Sequence, residues 1–145
     1  MTSDSGLVNQ DSDYVQQIQA ALDELSQMQQ SPKLVSNPDD LEALEREIRG
    51  RTDRLGSLLV GHHLQQSLDS ADLQMEQDVL VSQWPKPLKS DGKVKVNIRT
   101  AQGDTAAVWV TYYRRKGQRR KGRRYAGGYA GLVLLRRFPE KNLPF

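Results

Sequence analysis

Cysteine is absent from this sequence of 145 residues, which excludes disulfides and any zinc or iron–sulfur site with cysteine ligands. Long apolar runs are also missing, since no stretch of about 18 apolar residues occurs. The first residues lack the basic and apolar regions of a signal peptide. We therefore expect a soluble, cytoplasmic protein with no membrane partner. Hydrophobic residues make up only 37% of the chain and the mean hydropathy is −0.70, so we also expect disordered stretches.

Acidic residues are scarce in the second part of the chain. Residues 1–90 contain 7 Lys/Arg and 15 Asp/Glu, a formal charge of −8, whereas residues 91–145 contain 14 and 3, a formal charge of +11. This asymmetry predicts two functional halves, of which the second is suited to a polyanion. Its three carboxylates are Asp91, Asp104 and Glu140, and two of them lie in predicted turns. A nuclease centre built from metal-binding carboxylates is therefore not expected there.

Other catalytic patterns are missing as well. The sequence contains neither a phosphate-binding P-loop nor a glycine fingerprint after a strand. His62 and His63 are adjacent, and on a helix their side chains point about 100° apart, so they are not expected to share a metal ion. We interpret the pair as lying near a helix C-terminus, which favours the imidazolium form. The chain is therefore predicted to be non-enzymatic, with no metal site and no cofactor.

A helical region is predicted over residues 13–84, where apolar residues recur at spacings of three and four. Residues 1–12 are small, polar and acidic, and we interpret them as a disordered leader. One helix ends before Ser31-Pro32, because a proline disfavours helical backbone in the residue before it. A break near Ser70 divides the remaining helical pattern.

The second helix is capped by Asn37 or Asp39. Its three glycines predict either close approach to another helix or a kink. They are Gly50, Gly56 and Gly61. Because this part of the chain offers little partner surface, we expect the helices to pair internally and to self-associate. The predicted apolar stripes are Val15, Ile18, Leu22, Leu25 and Met28 on the first helix, and Leu41, Leu44, Ile48, Leu55, Leu58 and Leu59 on the second.

A β-hairpin with a basic loop is predicted over residues 91–135. The spacing of apolar residues changes there from the helical period of about 3.6 to the strand period of 2. Ser90-Asp91-Gly92 is a predicted turn. Apolar residues alternate with polar ones between Lys93 and Arg99, so Lys93, Lys95, Asn97 and Arg99 face away from the core. If Gln102-Gly103 is a two-residue loop, Val96 lies opposite Trp109, and the Trp109 ring joins the apolar face.

In that register, the other face of the hairpin is basic and aromatic. Lys93, Lys95 and Arg99 share it with Val110 and Tyr112. Such a face is either a platform for nucleic acid or an ordinary solvated sheet surface. The apolar run that follows, residues 131–135, is either a third strand or the start of a helix. Residues 136–145 have no clear period and are interpreted as an unstructured tail.

The segment from Arg114 to Arg124 is the most basic in the chain, with eight cations, no acid and two glycines. Its cations are Arg114, Arg115, Lys116, Arg119, Arg120, Lys121, Arg123 and Arg124. Lys and Arg displace condensed counterions from nucleic acids, and Arg can grip a phosphate through two donors. Together with Lys93, Lys95 and Arg99, these residues are the predicted DNA-binding set. The alternative is a solvated basic loop.

Five segments carry a resemblance to a known family. Residues 41–49, 52–59, 96–103, 108–115 and 129–135 resemble the N-terminal region of bacterial insertion-sequence transposases of the ISKra type, in the family's order and with similar gaps. The resemblance implies that the chain contacts the DNA of transposon ends, as part of a mobile element that moves by DNA recombination. The family's catalytic domain, with its acidic triad, is expected to be absent, as in a truncated or frameshifted element, because residues 136–145 do not resemble the family's continuation.

The sequence thus predicts an α+β fold, with long N-terminal helices followed by a β-hairpin or small antiparallel sheet, disordered termini and a basic loop. The function expected is that of a non-catalytic, DNA-contacting N-terminal portion of an insertion-sequence transposase. The alternative is a helical protein-interaction module with a basic tail that binds RNA or acidic partners. A complete small nuclease is disfavoured by the scarcity of carboxylates.

Overall fold

A computed structural model of the chain describes residues 5–116 and 128–141. Within these ranges it confirms the α+β fold, with long helices followed by an antiparallel sheet in the order β1-β2-β3. Two compact units are formed: the first ends at His62 and includes Thr100–Asp104, and the second contains His63–Arg99 and the chain from Thr105 onward. The elements are α1 (Ser5–Gln30), α2 (Pro38–Leu68), α3 (Ala71–Ser82), β1 (Leu88–Arg99), β2 (Thr105–Arg115), β3 (Tyr129–Ala130) and α4 (Leu132–Arg137).

The first unit is built on an antiparallel pair of helices, α1 and the first part of α2. Arg51 donates to Glu24 at 3.1 Å, and the rings of Tyr14 and His62 lie 5.8 Å apart, which fixes the antiparallel direction. The core between the helices is small. Its buried side chains are Tyr14, Ala21 and Leu58, with Ile18 and Leu55 packed against them.

Helix α1 begins at Ser5, so its assigned bounds include residues 5–12 of the segment predicted to be a leader. This stretch contains no proline, and its one glycine lies in the first turn, so nothing stops the helix there. Residues 1–4 lie outside the described residues. The predicted stripe on α1 is also partly wrong, because Val15 and Leu22 are exposed while Tyr14 and Ala21 are buried.

Helix α2 starts as predicted, since Asn37 Oδ1 accepts the Asp40 N–H at 2.9 Å and Pro38 occupies the first helical position. The glycine interpretation needs correction at Gly50 and Gly56. Apart from its chain neighbours and the nearby backbone of its own helix, no atom lies within 4 Å of a Cβ built on Gly50. A Cβ on Gly56 would lie 2.9 Å from the Gln102 side chain, so this glycine makes room for the hairpin loop and not for a helix.

The histidine interpretation also needs correction. His62 and His63 lie inside α2, which continues to Leu68, so they are not at a helix C-terminus. The break predicted near Ser70 is confirmed, because Ser70 caps α3 by accepting the Leu73 N–H.

The core of the second unit lies on one face of the sheet. Residues of alternating positions in β1 and β2 pack there against Leu68 of α2 and Leu134 of α4, with Leu73 and Leu80 of α3 at its border. The strand residues of this core are Val94, Val96, Ile98, Ala106, Val108, Val110 and Tyr112.

The hairpin register differs from the prediction by one residue. Arg99 pairs with Thr105, so Thr100–Asp104 forms a five-residue loop, in which the Thr100 N–H donates to the Asp104 carbonyl at 3.1 Å. Lys95, and not Val96, is therefore opposite Trp109. A slip of one residue exchanges the two faces of a strand. Val110 and Tyr112 consequently lie in the core, and Trp109 lies on the face of the lysines.

Two further segments are more ordered than the sequence suggested. The predicted turn at Ser90-Asp91-Gly92 is an irregularity within β1, where the pairing shifts between Ser90 and Lys93 and Gly92 has a φ of 88°. Residues 136 and 137 end α4, and the Lys141 carbonyl accepts the Arg99 N–H at 2.8 Å. The tail is therefore structured as far as Lys141, and residues 142–145 lie outside the described residues.

The apolar run at residues 131–135 continues into a helix after a very short strand. Tyr129–Ala130 pairs with Tyr113 and Tyr112 of β2, and α4 follows at once. Gly131 joins them with a φ of 74°, and its N–H donates to the Thr111 carbonyl at 2.9 Å. A Cβ at this position would lie 2.9 Å from the Val110 side chain, so glycine is required by both conformation and space.

Candidate nucleic-acid interface

The candidate site is the face of the hairpin opposite the core. Lys93, Lys95 and Arg99 alternate along β1 with buried residues, and all three are exposed. Trp109 of β2 is half-buried on the same face. We call these four residues the basic sheet face. Their common orientation follows from the period of two in a strand, once Lys95 and Trp109 are paired.

Lys95 and Trp109 form the centre of this face. They are directly opposite each other, and the Lys95 ammonium lies 5.5 Å from the centroid of the Trp109 ring, a cation–π distance. Lys93 lies at one side of this pair, with its ammonium 3.8 Å from Asp69. The face therefore combines an aromatic ring with cations on a rigid sheet, the combination that stacks bases and holds phosphates in single-strand binding folds.

Gln65 of α2 holds this part of β2 in place. Its Oε1 accepts the Trp109 N–H at 2.6 Å, and its Nε2 donates to the Trp109 carbonyl at 3.1 Å and to Asp69 at 3.2 Å. The Gln65 side chain is fully buried. Among the described residues, β3 pairs with β2 only at Tyr112 and Tyr113. The Gln65 amide therefore pairs with the Trp109 backbone in the way that a neighbouring strand would. A glutamine among the leucines of an amphipathic helix gave no sign of this role in the sequence.

The structure divides the predicted cations at the end of β2. Arg115 and Lys116 are exposed. Arg114 differs, since its side chain is 20% exposed and its Nε lies 3.8 Å from the carboxylate of Asp91, which is 10% exposed. This ion pair joins the β1 irregularity to β2, so Arg114 is already engaged within the unit. Arg119, Arg120, Lys121, Arg123 and Arg124 lie outside the described residues.

Nowhere in residues 5–116 and 128–141 do three His, Asp or Glu side chains converge in a way that would hold a metal ion. No helix in the same ranges is long and apolar enough to cross a membrane. No protein-family model, curated protein or solved structure matches the chain.

Proposed function

We propose that this chain is a non-catalytic, DNA-contacting module, corresponding to the N-terminal portion of an insertion-sequence transposase of the ISKra type. The observation that carries the proposal is the basic sheet face, where Lys93, Lys95 and Arg99 share one side of the hairpin with Trp109, and Lys95 lies over its ring. The resemblance of the sequence segments supports the assignment to a transposase. Self-association of the helices, expected from the sequence, does not involve this face.

The electrostatic part of the proposal rests on position as well as on charge. The three β1 cations are two to four residues apart on one face, and β2 runs from this face into Arg115 and Lys116. Phosphates along a nucleic-acid strand can contact such a row in succession. The cations at positions 119–124 follow β2 in the sequence, and we include them in the proposed contact set.

A second candidate function is an interaction module that binds RNA or an acidic partner. The presence of Trp109 favours RNA over an acidic protein, because an aromatic ring on a sheet is well suited to an unpaired base. Affinities for duplex DNA, single-stranded DNA, single-stranded RNA and an acidic peptide, measured with one preparation, decide between these functions. The proposal is supported if the chain binds duplex or single-stranded DNA more tightly than it binds single-stranded RNA and the acidic peptide.

The main test is the dependence of DNA affinity on salt. Four to six phosphate contacts give a slope of about −4 to −5 when log K is plotted against log salt concentration. Replacing Lys93, Lys95 and Arg99 together by Ala should flatten the slope by about 2–3 units. The same flattening is expected for Arg119, Arg120 and Lys121 replaced by Ala.

A matched control keeps the net charge of these variants but changes a different surface. Arg46, Arg49 and Arg54 of α2 are exposed, and their replacement by Ala also removes three cations. We expect this control to retain the slope of the unmodified chain. An affinity that does not depend on salt, or an equal loss in control and test variants, would contradict the proposed interface. Replacing Trp109 by Leu should reduce affinity for single strands more than for duplex.

A further inference from the structure

The helix pair of the first unit leaves large apolar side chains uncovered. Five of them are between 40% and 56% exposed, whereas the core of the pair contains only three buried side chains among the described residues. So small a core is poorly matched to two helices of 26 and 31 residues. The exposed residues are Val15 (56%), Leu22 (44%), Leu41 (47%), Ile48 (41%) and Leu59 (40%).

These five residues share one side of the helix pair. At about 100° per residue, Val15 and Leu22 are offset by about 80–100° from the line of Tyr14 and Ala21 that contacts α2. Leu41, Ile48 and Leu59 are offset in the same rotational sense, by about 60–100°, from the Arg51 and Leu58 line of α2. In an antiparallel pair, equal rotational offsets fall on the same side. We call this set the apolar face.

The spacing on the apolar face is that of helix-to-helix packing. Val15 and Leu22 are seven residues apart, as are Leu41 and Ile48, which is the repeat of a coiled-coil seam. Mixed charges border it: Glu45 and Arg49 are both exposed on α2 beside Ile48. A membrane-binding helix would instead carry mainly cations beside its apolar side.

The bordering charges favour a second copy of the same chain. When two α2 helices meet antiparallel across a two-fold axis near Ile48, Glu45 of one copy lies beside Arg49 of the other, and the pairing occurs twice. The size is also suitable. From Leu41 to Leu59, α2 is about 27 Å long and two adjacent helices are about 20 Å wide. That footprint is on the order of the roughly 800 Å² per partner buried in stable interfaces.

We propose that the apolar face is an interface between two copies of this chain, in which the α2 helices meet antiparallel around Ile48. The contact depends on the helices and not on the basic sheet face. It is therefore tested without DNA, and its failure would leave the proposed DNA contact untouched.

The first experiment is sedimentation of the full chain at tens of micromolar. We expect a dimer, and we expect Leu22→Glu combined with Ile48→Glu to give a monomer. The matched control is Gln16→Glu combined with Ala43→Glu, which adds the same two charges at exposed positions on other sides of the helices. This control should remain a dimer. A monomeric unmodified chain, or a dimer unaffected by the first pair of changes, would overturn the proposal.

A second experiment keeps the apolar face almost intact, in case the glutamate variant fails to fold. Because the chain has no cysteine, Ile48→Cys introduces the sole thiol. At a two-fold axis it meets its own copy, so mild oxidation or a short bis-maleimide should give a covalent dimer in high yield. Ala43→Cys, on another side of α2, should give little. Equal yields from both variants would show that Ile48 is not at the interface.

Discussion

Gln65 provides the sharpest test of how the candidate site is held. Its buried amide forms both hydrogen bonds with the Trp109 backbone, at 2.6 and 3.1 Å, where no strand covers that part of β2 in the described structure. In Gln65→Leu, the volume is nearly kept while the donor and the acceptor are removed. The Trp109 N–H and carbonyl then lose their partners beneath an apolar side chain.

The expected loss of stability follows from these two groups. Leaving a buried donor or acceptor without a partner costs about 1–3 kcal/mol. Two such groups give about 2–6 kcal/mol, and the added apolar surface of leucine offsets part of this. We therefore expect the free energy of unfolding to fall by about 2–4 kcal/mol.

Urea unfolding followed by tryptophan fluorescence is the appropriate assay. Trp84 and Trp109 both belong to the second unit, so the signal reports the unit that contains Gln65. Gln16→Leu, an exposed position on α1, is the control for the change in composition. Amide hydrogen exchange at Trp109 should also accelerate in Gln65→Leu. A loss below about 0.5 kcal/mol with unchanged exchange would refute the role that we give to this amide.

Two other predictions concern acidic residues. Arg137 Nε donates a hydrogen bond to the Glu76 carboxylate at 3.0 Å, and this bond lowers the pKa of Glu76 below 4.5. The ionised Glu76 side chain therefore stabilises the fold above that pH. This stabilisation is lost as the pH falls through the lowered pKa. The urea midpoint of Glu76→Gln should therefore lie below that of the unmodified chain at pH 7, and the gap should narrow as the pH falls through the lowered pKa. A gap that stays constant across this fall in pH contradicts the prediction. We also expect that the chain does not cleave linear or supercoiled DNA in the presence of Mg²⁺ or Mn²⁺. The reason is that Asp91 faces Arg114, whereas Asp104 lies in the hairpin loop. Cleavage that disappears in Asp91→Asn or Asp104→Asn would show that the chain is an enzyme.

The helices could largely be predicted from local signals, but their buried sides could not. Ser31-Pro32, Asn37 and Ser70 act through the adjacent backbone, and each marks a helix end in the structure. Which side of α1 is buried depends on the partner helix. The stripe of Val15 and Leu22 satisfied the apolar period, yet the helix turns Tyr14 and Ala21 toward α2 and leaves those two exposed.

The hairpin shows a similar limit. The alternation in β1 correctly identified the cations of the outer face, because it depends on strand geometry alone. The identity of their neighbours depends on the length of the loop, and a loop of five residues was not distinguishable from one of two by residue type. That single residue of slip moved Trp109 out of the predicted core and into the candidate site.

The corrected register also changes how the lysines of β1 should be explained. β1 is an edge strand, and exposed lysines commonly protect such edges from pairing with other chains. Lys93 and Lys95 alone would therefore be consistent with edge protection. Trp109 is on β2, where the Gln65 amide already pairs with its backbone, so its side chain is not needed for protection. Leaving a large aromatic ring partly exposed forgoes part of its burial free energy. It is the position of this ring among the cations, more than the number of cations, that favours a binding surface.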